Sequence, residues 1–351
     1  MKAAVYEGVA KVQIRDVPKP ECPQDGLLVR VEACGICGTD ARTFFNGDER
    51  ATPPWILGHE LGAVVEQVGQ IARSEIGLHA GERIHVISTL SCGHCDYCRM
   101  GWENLCVERG LLGYQPYPGG YAEYMPIPHV ALRNVMKVPD DVPLEHATLT
   151  DPFSDALNGV ERLEARLGDI VVVVGAGPIG TMQAMMIRSS GAEKVILVEV
   201  SKQRLDLSRS VLGDERMAYV GGGDSVQAVL TETDGKGADR IIVACSSNQA
   251  QEDALRMAGK RARIVYFGGL PRTKPTIDFA SNYLHYGEFE ISGAYASTFK
   301  QQQQALAMIR SGMLPASKLI THVLPLEQIA AGFDYIRSGE ALKVVIKPSQ
   351  D

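Results

Sequence analysis

We expect no segment of this sequence to target it to a membrane or to hold it in one. Residues 1–7 lack the apolar core of a signal peptide. No apolar run elsewhere approaches the ~20 residues that a membrane-spanning helix needs. We therefore expect a cytoplasmic protein without a membrane partner. In that reducing compartment, closely spaced cysteines are more often metal ligands or catalytic groups than disulfides.

The sequence also has no excess of positive charge. Its 35 lysines and arginines are outnumbered by 42 aspartates and glutamates, which gives a formal net charge of −7. Because such a protein repels polyanions, we exclude nucleic acid as a partner. Hydrophobic residues make up 45% of the chain and charged residues 22%. These proportions are typical of a folded protein and exclude a disordered or collagen-like chain.

The chain has no internal repeat, and its 351 residues suffice for about two domains at ~150 residues each. Up to about residue 150, glycines and prolines separate short strand-like runs, which predicts a mostly β domain. From about residue 154, apolar strands alternate with helical patterns, which predicts βαβ units around a parallel sheet. The predicted strands of the two parts are 27–33, 62–68, 83–87, 170–174, 194–199, 240–244, 263–267 and 289–294. The predicted helices are 178–190, 202–212 and 300–310, and further strands follow at 319–323 and 342–346.

A glycine motif directly follows the strand predicted at 170–174. Gly175, Gly177 and Gly180 form a GxGxxG pattern between this strand and a helix, with Pro178 and Ile179 before the last glycine. In a dinucleotide-binding loop, the first glycine permits a tight turn and the second lets the backbone approach a pyrophosphate. The third lets the helix pack closely on the strand. We expect the helix N-terminus to face the phosphates.

The next predicted strand ends in an acid. Glu199 lies 24 residues beyond Gly175, where a carboxylate accepts hydrogen bonds from ribose hydroxyls and repels the 2′-phosphate of NADP. The sequence therefore predicts NAD as the cofactor. The alternative is that the glycines form a purely structural turn and that Glu199 is only a polar strand end. Arg204, five residues later, would either stack on the adenine or be exposed.

Half of the eight cysteines lie close together in a C-x2-C-x2-C-x7-C spacing. They are Cys92, Cys95, Cys98 and Cys106. Four thiolates in one compact lobe suit a tetrahedral zinc. A ferredoxin cluster begins in the same way but usually continues with x3-C-P, and here Val107 follows the fourth cysteine. Because protein would fill all four coordination positions, we predict a structural zinc in a lobe at about residues 89–110.

Other potential metal ligands and catalytic groups are scattered through the first domain. They are Cys37, which is followed by Thr39 and Asp40, then His59 and Glu60 after a glycine, and Asp151 before a proline. Each signal is weak by itself. A lone cysteine is more often a small buried hydrophobe and a lone histidine a core residue. An aspartate that precedes a proline makes a good helix N-cap.

Together, these motifs resemble those of one family. The segments Cys-Gly-Thr-Asp and Gly-His-Glu, the four-cysteine lobe, Gly-Ala-Gly-Pro-Ile-Gly with its acid and the closing Lys-Val-Val-Ile are similar to those of the zinc-dependent medium-chain alcohol and polyol dehydrogenases. The resemblance covers essentially the whole chain. It is greatest for the branch of sorbitol, threonine and sugar-acid dehydrogenases, in which the third zinc-site residue is a carboxylate. Asp151 and Pro152 stand where that branch has Glu-Pro or Asp-Pro.

The resemblance implies a second zinc, which is catalytic. Its ligands would be Cys37, His59 and either Glu60 or Asp151. Thr39 would pass the proton of the substrate hydroxyl outward. Asp40 and the carboxylate that is not a ligand would orient the zinc ligands without contacting the zinc themselves. Zinc would make the substrate alkoxide available near neutral pH, and the nicotinamide would accept the hydride.

Two residues depart from the family pattern. Arg42 occupies a position where relatives often have a histidine of the proton relay, and arginine is a poor proton carrier. Thr89 replaces a histidine of threonine dehydrogenases, which disfavours L-threonine as the substrate. The resemblance also implies contacts with the nicotinamide side of the cofactor at four residues. These are Phe267, Gly268, Ala294 and Tyr295.

The resemblance further implies an α/β chain in which one domain is inserted into another. A GroES-like, mostly β catalytic domain would comprise residues 1–153 and 295–351, and a doubly wound Rossmann domain would comprise residues 154–294. Relatives associate through the last Rossmann strand, so a homodimer or homotetramer is expected. The expected activity is NAD-linked oxidation of a polyol, sugar or sugar acid. The alternatives are an L-threonine or simple alcohol dehydrogenase and a non-catalytic NAD-binding redox sensor.

Overall fold

A computed structural model describes residues 1–349. The chain divides into two compact units. Unit 1 contains Met1–Ser154 and the chain from Ser297 onwards, and unit 2 is Asp155–Ala296. The domain boundaries expected from the sequence lie one and two residues before these two crossing points.

The first part of the chain is rich in short strands. In chain order its elements are β1 (Lys2–Gly8), β2 (Lys11–Asp16), β3 (Leu27–Gly35), α1 (Gly38–Asn46), β4 (Trp55–Ile56), β5 (Glu60–Val68), α2 (Arg73–Ile76), β6 (Arg83–Val86), β7 (Thr89–Leu90), α3 (Asp96–Arg99), β8 (Gly110–Leu111), β9 (Tyr124–Ile127), β10 (Val135–Lys137), α4 (Leu144–Ala147) and α5 (Thr150–Leu163). This composition confirms that the first domain is mostly β.

Strands and helices then alternate. The elements are β11 (Ile170–Val174), α6 (Pro178–Ser189), β12 (Lys194–Glu199), α7 (Lys202–Leu212), β13 (Met217–Gly221), α8 (Ser225–Glu232), β14 (Ala238–Val243), α9 (Asn248–Met257), β15 (Ala258–Tyr266), α10 (Ser281–Gly287) and β16 (Glu290–Gly293). The chain continues with α11 (Phe299–Arg310), α12 (Ala316–Leu319), β17 (Ile320–Pro325), α13 (Ile329–Ser338) and β18 (Lys343–Lys347). No helix within residues 1–349 has both the length and the apolar character needed to cross a membrane.

A seven-stranded sheet organises unit 1. Its order is β10-β6-β5-β3-β18-β17, and β9 also pairs with β3. Gly35 at the end of β3 lies opposite Glu60 at the start of β5 and opposite Val345 in β18. The sheet thus brings together residues from the beginning and the end of the chain. Its buried side chains form a core that includes Val29, Val31, Leu61, Val65 and Val344.

Unit 2 contains a six-stranded parallel sheet in the order β13-β12-β11-β14-β15-β16. This is the strand order of a Rossmann fold, in which the chain first winds outward on one side and then on the other. The strands predicted at 170–174 and 194–199 are confirmed without any shift of their ends. The sequence did not predict β13, because this edge strand is short and only one of its five residues is buried.

Candidate metal and dinucleotide sites

Four cysteine sulfurs converge in the lobe between β7 and β8. The Sγ atoms of Cys92, Cys95, Cys98 and Cys106 lie within 4.8 Å of one another. The sulfurs of Cys92 and Cys98 are 3.9 Å apart. A tetrahedral zinc with Zn–S distances of about 2.3 Å holds its sulfurs about 3.8 Å apart. All eight cysteines, which lie within the described residues, are free thiols, and the four of the lobe fit a zinc ion.

The backbone of the lobe favours thiolates. The amides of Cys92 and Glu108 donate to Sγ of Cys106 at 3.3 and 3.4 Å. Backbone hydrogen bonds lower the pKa of Cys95 to about 6, whereas burial raises the pKa of Cys98 to about 12. A bound dication would offset the cost of ionising the buried thiol, because metal binding displaces the thiol protons.

A second group of potential metal ligands combines Cys37, His59 and Glu60. One ligand atom of each residue lies within 4.8 Å of the other two. Cys37 is the N-cap of α1, and its Sγ accepts the amide of Thr39 at 3.4 Å. His59 directly precedes β5, and Glu60 is the first residue of that strand. A thiolate, an imidazole and a carboxylate suit a zinc ion with an open fourth position.

Asp40 lies beside the imidazole of this group. Its Oδ1 is 3.2 Å from Nδ1 of His59, which leaves Nε2 as the ligand nitrogen. Burial favours a higher pKa for Asp40, but the charge of His59 together with hydrogen bonds from His59, Tyr121 and the backbone outweighs this effect, and the pKa is lowered. Burial favours a lower pKa for His59, but the charges of Asp40 and Cys37 raise that pKa well above its usual value. The carboxylate therefore stays ionised behind the ring.

Two tyrosines fix the Asp40 carboxylate. Tyr121 donates to Oδ2 at 2.8 Å and Tyr114 to Oδ1 at 3.4 Å. The Tyr114 hydroxyl is also 2.9 Å from Oγ1 of Thr43. Burial raises the pKa of both tyrosines well above the usual value, so both hydroxyls remain donors. Sequence reasoning missed these two hydrogen bonds, because Tyr114 lies 74 positions and Tyr121 lies 81 positions from Asp40 in the sequence.

Glu60 pairs with a cation from the end of the chain. Nζ of Lys343 contacts Oε2 of Glu60, and only 3% and 2% of these side chains are exposed. The same ammonium donates to the carbonyl of Ile36 at 3.1 Å. A Cβ on Gly35 would collide with the Glu60 carboxylate, so a side chain there would displace that carboxylate. Burial raises the pKa of Glu60 and Asp151 adds to the rise, while Lys343 opposes it.

Asp151 has hydrogen-bond partners of its own. Ser88 donates to its Oδ2 at 2.9 Å, and Nε2 of Gln302 donates to its Oδ1 at 2.6 Å. Gln302 also donates to Oγ of Ser297 at 3.2 Å. Asp151 is the second residue of α5, so its interpretation as the helix N-cap is wrong. Among residues 1–349, the ligand group around Cys37 does not include Asp151.

The glycine loop opens unit 2. Gly175 has a φ of +107°, a conformation that favours glycine. Gly177 is the N-cap of α6, which begins with Pro178 and Ile179, and a Cβ on Gly177 would enter open space. A Cβ on Gly180 would collide with the carbonyl oxygen of Gly175. The loop therefore has a sharp turn, an accessible backbone and a closely packed helix, as a pyrophosphate site requires.

Glu199 ends β12 beside this loop. Its Oε2 accepts the amide of Ala176 and its Oε1 the amide of Ser201, both at 2.9 Å. These bonds orient the carboxylate but leave it free to accept further hydrogen bonds. Arg204 is the third residue of α7, and its amide donates to Oγ of Ser201 at 3.4 Å.

Comparisons with known proteins identify the family. The alcohol dehydrogenase GroES-like domain matches residues 23–140, and the zinc-binding dehydrogenase domain matches residues 178–311. Sorbitol dehydrogenase of Bombyx mori is 31% identical over 98% of this chain and 97% of its own length. The chain belongs to the zinc-dependent medium-chain dehydrogenase family. It is therefore an enzyme, and the predicted GroES-like and Rossmann domains are confirmed.

Two further relatives of this chain are also dehydrogenases. L-threonine 3-dehydrogenase of Anaeromyxobacter dehalogenans (strain 2CP-C) is 33% identical over 94% of this chain and 93% of its own. Alcohol dehydrogenase TADH from Thermus sp. ATN1 superposes with a TM-score of 0.89 at 29% identity, with 99% of each chain covered. These relatives support dehydrogenase activity and differ in the substrates that their names state.

This dehydrogenase has a cation beside Thr39. Nη2 of Arg42 donates to Oγ1 of Thr39 at 3.2 Å. A guanidinium does not give up a proton in proteins, so Arg42 can orient the hydroxyl but cannot relay a proton. The departure from the family pattern noted in the sequence therefore places a fixed donor beside the candidate proton carrier.

Four predicted cofactor contacts lie at one edge of the Rossmann sheet of this dehydrogenase. Phe267 and Gly268 directly follow β15, and Ala294 and Tyr295 directly follow β16. The carboxyl ends of parallel strands meet at one edge, which is also where β11 enters the glycine loop. Their contact with the nicotinamide remains a prediction.

Proposed function

We propose that this dehydrogenase oxidises a secondary hydroxyl of a polyol, sugar or sugar acid to a ketone, with NAD as the acceptor. The observation that carries the proposal is the compact ligand group of Cys37, His59 and Glu60. We propose two zinc ions per chain, one in this group and one in the cysteine lobe. Similarity to sorbitol dehydrogenase over 98% of the chain supports the substrate class.

Each residue around the ligand group has a separate role in the proposed reaction. A zinc ion held there would polarise the substrate oxygen and favour loss of the hydroxyl proton. Asp40 keeps the imidazole of His59 in the orientation that leaves Nε2 for the metal. Thr39 accepts the hydroxyl proton, while Arg42 holds its Oγ1. Because Arg42 cannot carry that proton, the proton passes from Thr39 to water.

The glycine loop and Glu199 provide the cofactor site in this proposal. A bound NAD would supply the acceptor for the hydride that leaves the substrate carbon, which becomes a carbonyl carbon. The open space at Gly177 gives the pyrophosphate access to the backbone. The Glu199 carboxylate accepts hydrogen bonds from the ribose hydroxyls, and its charge repels the 2′-phosphate of NADP.

A metal measurement and a substrate screen test the proposed activity. Protein purified without chelator is expected to contain two zinc ions per chain, measured by mass spectrometry of the metal. NAD reduction is expected with at least one of sorbitol, xylitol, 2,3-butanediol and gluconate, and o-phenanthroline should abolish it. Activity that persists after all zinc is removed would contradict the proposal. A preference for L-threonine or for a simple alcohol would favour the relatives that carry those names.

Replacing Glu199 with glutamine is expected to lower kcat/KM for NAD by about 10- to 100-fold, because a hydrogen bond to a charged group is worth about 1.5–3 kcal/mol. The ratio of kcat/KM for NAD to that for NADP should fall further, since the repulsion of the 2′-phosphate is removed. Steady-state kinetics with both cofactors measures the ratio. Glu193→Gln is the matched control, because Glu193 is an exposed acid just before β12. Equal ratios in both variants would contradict this role of Glu199.

A further inference from the structure

A third group of potential metal ligands lies on the outside of the cysteine lobe. One ligand atom each of Cys92, His94 and Glu108 lies within 4.8 Å of the other two, and we call these three residues the outer group. The side chains of His94 and Glu108 are 66% and 61% exposed. Cys92 is half-buried and is also one of the four lobe cysteines. This one sulfur therefore belongs both to a group that is open to solvent and to the lobe.

The imidazole of His94 is prepared for a metal. Its Nδ1 lies 3.1 Å from the carbonyl oxygen of Cys92. Because a carbonyl oxygen only accepts, Nδ1 carries the proton, and the lone pair of the neutral ring is on Nε2. Histidines that bind a metal commonly donate their other ring N–H to a backbone carbonyl in this way. His94 thus presents an unprotonated nitrogen beside the carboxylate of Glu108, and two neighbouring acceptors favour a cation between them.

The spacing between His94 and Glu108 is that of two zinc ligands. Nε2 of His94 is 3.4 Å from Oε1 of Glu108. Ligand bonds of about 2.0–2.2 Å to a tetrahedral zinc place a nitrogen and an oxygen about 3.3–3.5 Å apart. The exposed pair of His129 and Glu75 in the same unit has a separation of 2.9 Å, which is an ordinary hydrogen-bond distance. The wider pair in the outer group leaves room for an ion that both residues contact.

The inner thiols of the lobe are poorly placed to capture zinc from water. Cys98 and Cys106 are only 8% and 7% exposed, and zinc must displace a proton from each thiol that it binds. The outer group offers an imidazole and a carboxylate in contact with solvent, and it already includes one of the four lobe sulfurs. An ion bound there can pass to the lobe without losing its bond to Cys92.

We infer that the outer group is the site at which zinc enters and leaves the cysteine lobe. The incoming ion binds Cys92, His94 and Glu108. Cys92 then keeps the ion while the other three lobe cysteines replace the imidazole and the carboxylate. Each thiol gives up its proton to water as its sulfur binds. The inference rests on the part of the proposed function that places a zinc ion in the lobe, and it does not depend on the substrate.

A site on the path of an ion changes rates and not the final affinity, and this difference gives the test. Full-length protein is freed of metal with a chelator and mixed with Co²⁺, which binds in place of zinc and absorbs visible light when thiolates coordinate it. Stopped-flow absorbance measures cobalt uptake by the four-sulfur lobe, and transfer to excess EDTA measures release. The two rates and the dissociation constant are compared between the wild type and variants.

In Glu108→Gln and in His94→Gln, uptake and release are each expected to slow by at least about tenfold, because even residues that only support metal ligands change metal affinity by that much. The dissociation constant of cobalt in the lobe should stay the same, since both rates fall by one factor. Glu75→Gln is the matched control. It removes the carboxylate of a similarly exposed pair with His129, and among residues 1–349 Glu75 belongs to none of the three ligand groups. Both rates should be unchanged in this control.

The other outcomes overturn the inference in distinguishable ways. Unchanged rates in both variants, or a slower rate in only one of them, would show that the three residues do not bind the ion together. Faster release with a weaker final affinity would show that His94 and Glu108 stabilise the filled lobe instead. If the wild type shows no cobalt–thiolate absorption, the lobe zinc of the proposed function is wrong, and the inference falls with it. The substrate screen with NAD tests the proposed activity independently of all these rates.

Discussion

Replacing Cys37 with serine is expected to lower kcat/KM for the best substrate by at least about 1000-fold and to reduce the zinc content from two ions to one per chain. A serine hydroxyl ionises far less readily than a thiol and is a poor ligand at neutral pH, and Cys37 is the sole sulfur in its group. A catalytic metal contributes several kcal/mol to the transition state, and each 1.36 kcal/mol is tenfold in rate. Metal analysis and steady-state kinetics measure both effects.

Cys22→Ser is the matched control for this experiment. Cys22 is a half-buried thiol that belongs to neither group of ligands, so this variant should keep both zinc ions and full activity. NAD binding by the Cys37 variant, followed by fluorescence, should be unchanged, because the glycine loop is far from Cys37 in the sequence and lies in unit 2. A Cys37→Ser enzyme that keeps two zinc ions and its activity would contradict the assignment. Loss of NAD binding as well would indicate general unfolding.

Local patterns predicted much of the fold and two of the three candidate sites, the cysteine lobe and the glycine loop. The three glycines around Pro178 and the four lobe cysteines each lie within a short segment, where spacing alone determines which atoms meet. The strands β11 and β12 are buried along almost their whole length, so their side chains are almost all apolar. The ends of these apolar runs therefore mark the ends of the strands in the sequence. The edge strand β13 lacks this signal because its side chains are only partly buried.

The contacts that complete the first-domain site could not be predicted in this way. Tyr121 reaches Asp40 across 81 residues and Gln302 reaches Asp151 across 151 residues. Such contacts depend on how β3, β5 and β18 pair in the sheet, and nothing in the local sequence marks their partners. For the same reason the sequence left the third ligand open between Glu60 and Asp151. The structure groups Glu60 with Cys37 and His59, and this grouping depends on the pairing of β3 with β5, which places Gly35 opposite Glu60.

Replacing Lys343 with methionine is expected to lower the thermal unfolding midpoint of unit 1 by about 6–20 °C. The ammonium and the Glu60 carboxylate are both almost fully buried, and removal of one partner leaves an unpaired charge at a cost of about 3–5 kcal/mol. For a unit of about 200 residues, 1 kcal/mol corresponds to about 2–4 °C. Differential scanning calorimetry of the chelated protein isolates this effect from metal binding.

The double variant Glu60→Gln/Lys343→Met should recover most of the lost stability, since it removes both charges of the pair and leaves neither of them buried without a partner. Lys137→Met is the control: Lys137 pairs with Glu82 at 2.5 Å, but 59% of its side chain is exposed, and exposed pairs contribute little. If the double variant is no more stable than Lys343→Met, the loss comes from the packing of the lysine stem against Gly35 and not from the unpaired carboxylate. If Lys343→Met shifts the midpoint no more than the control does, the buried pair does not stabilise unit 1, and Lys343 would then serve chiefly to hold the Glu60 carboxylate beside Cys37 and His59.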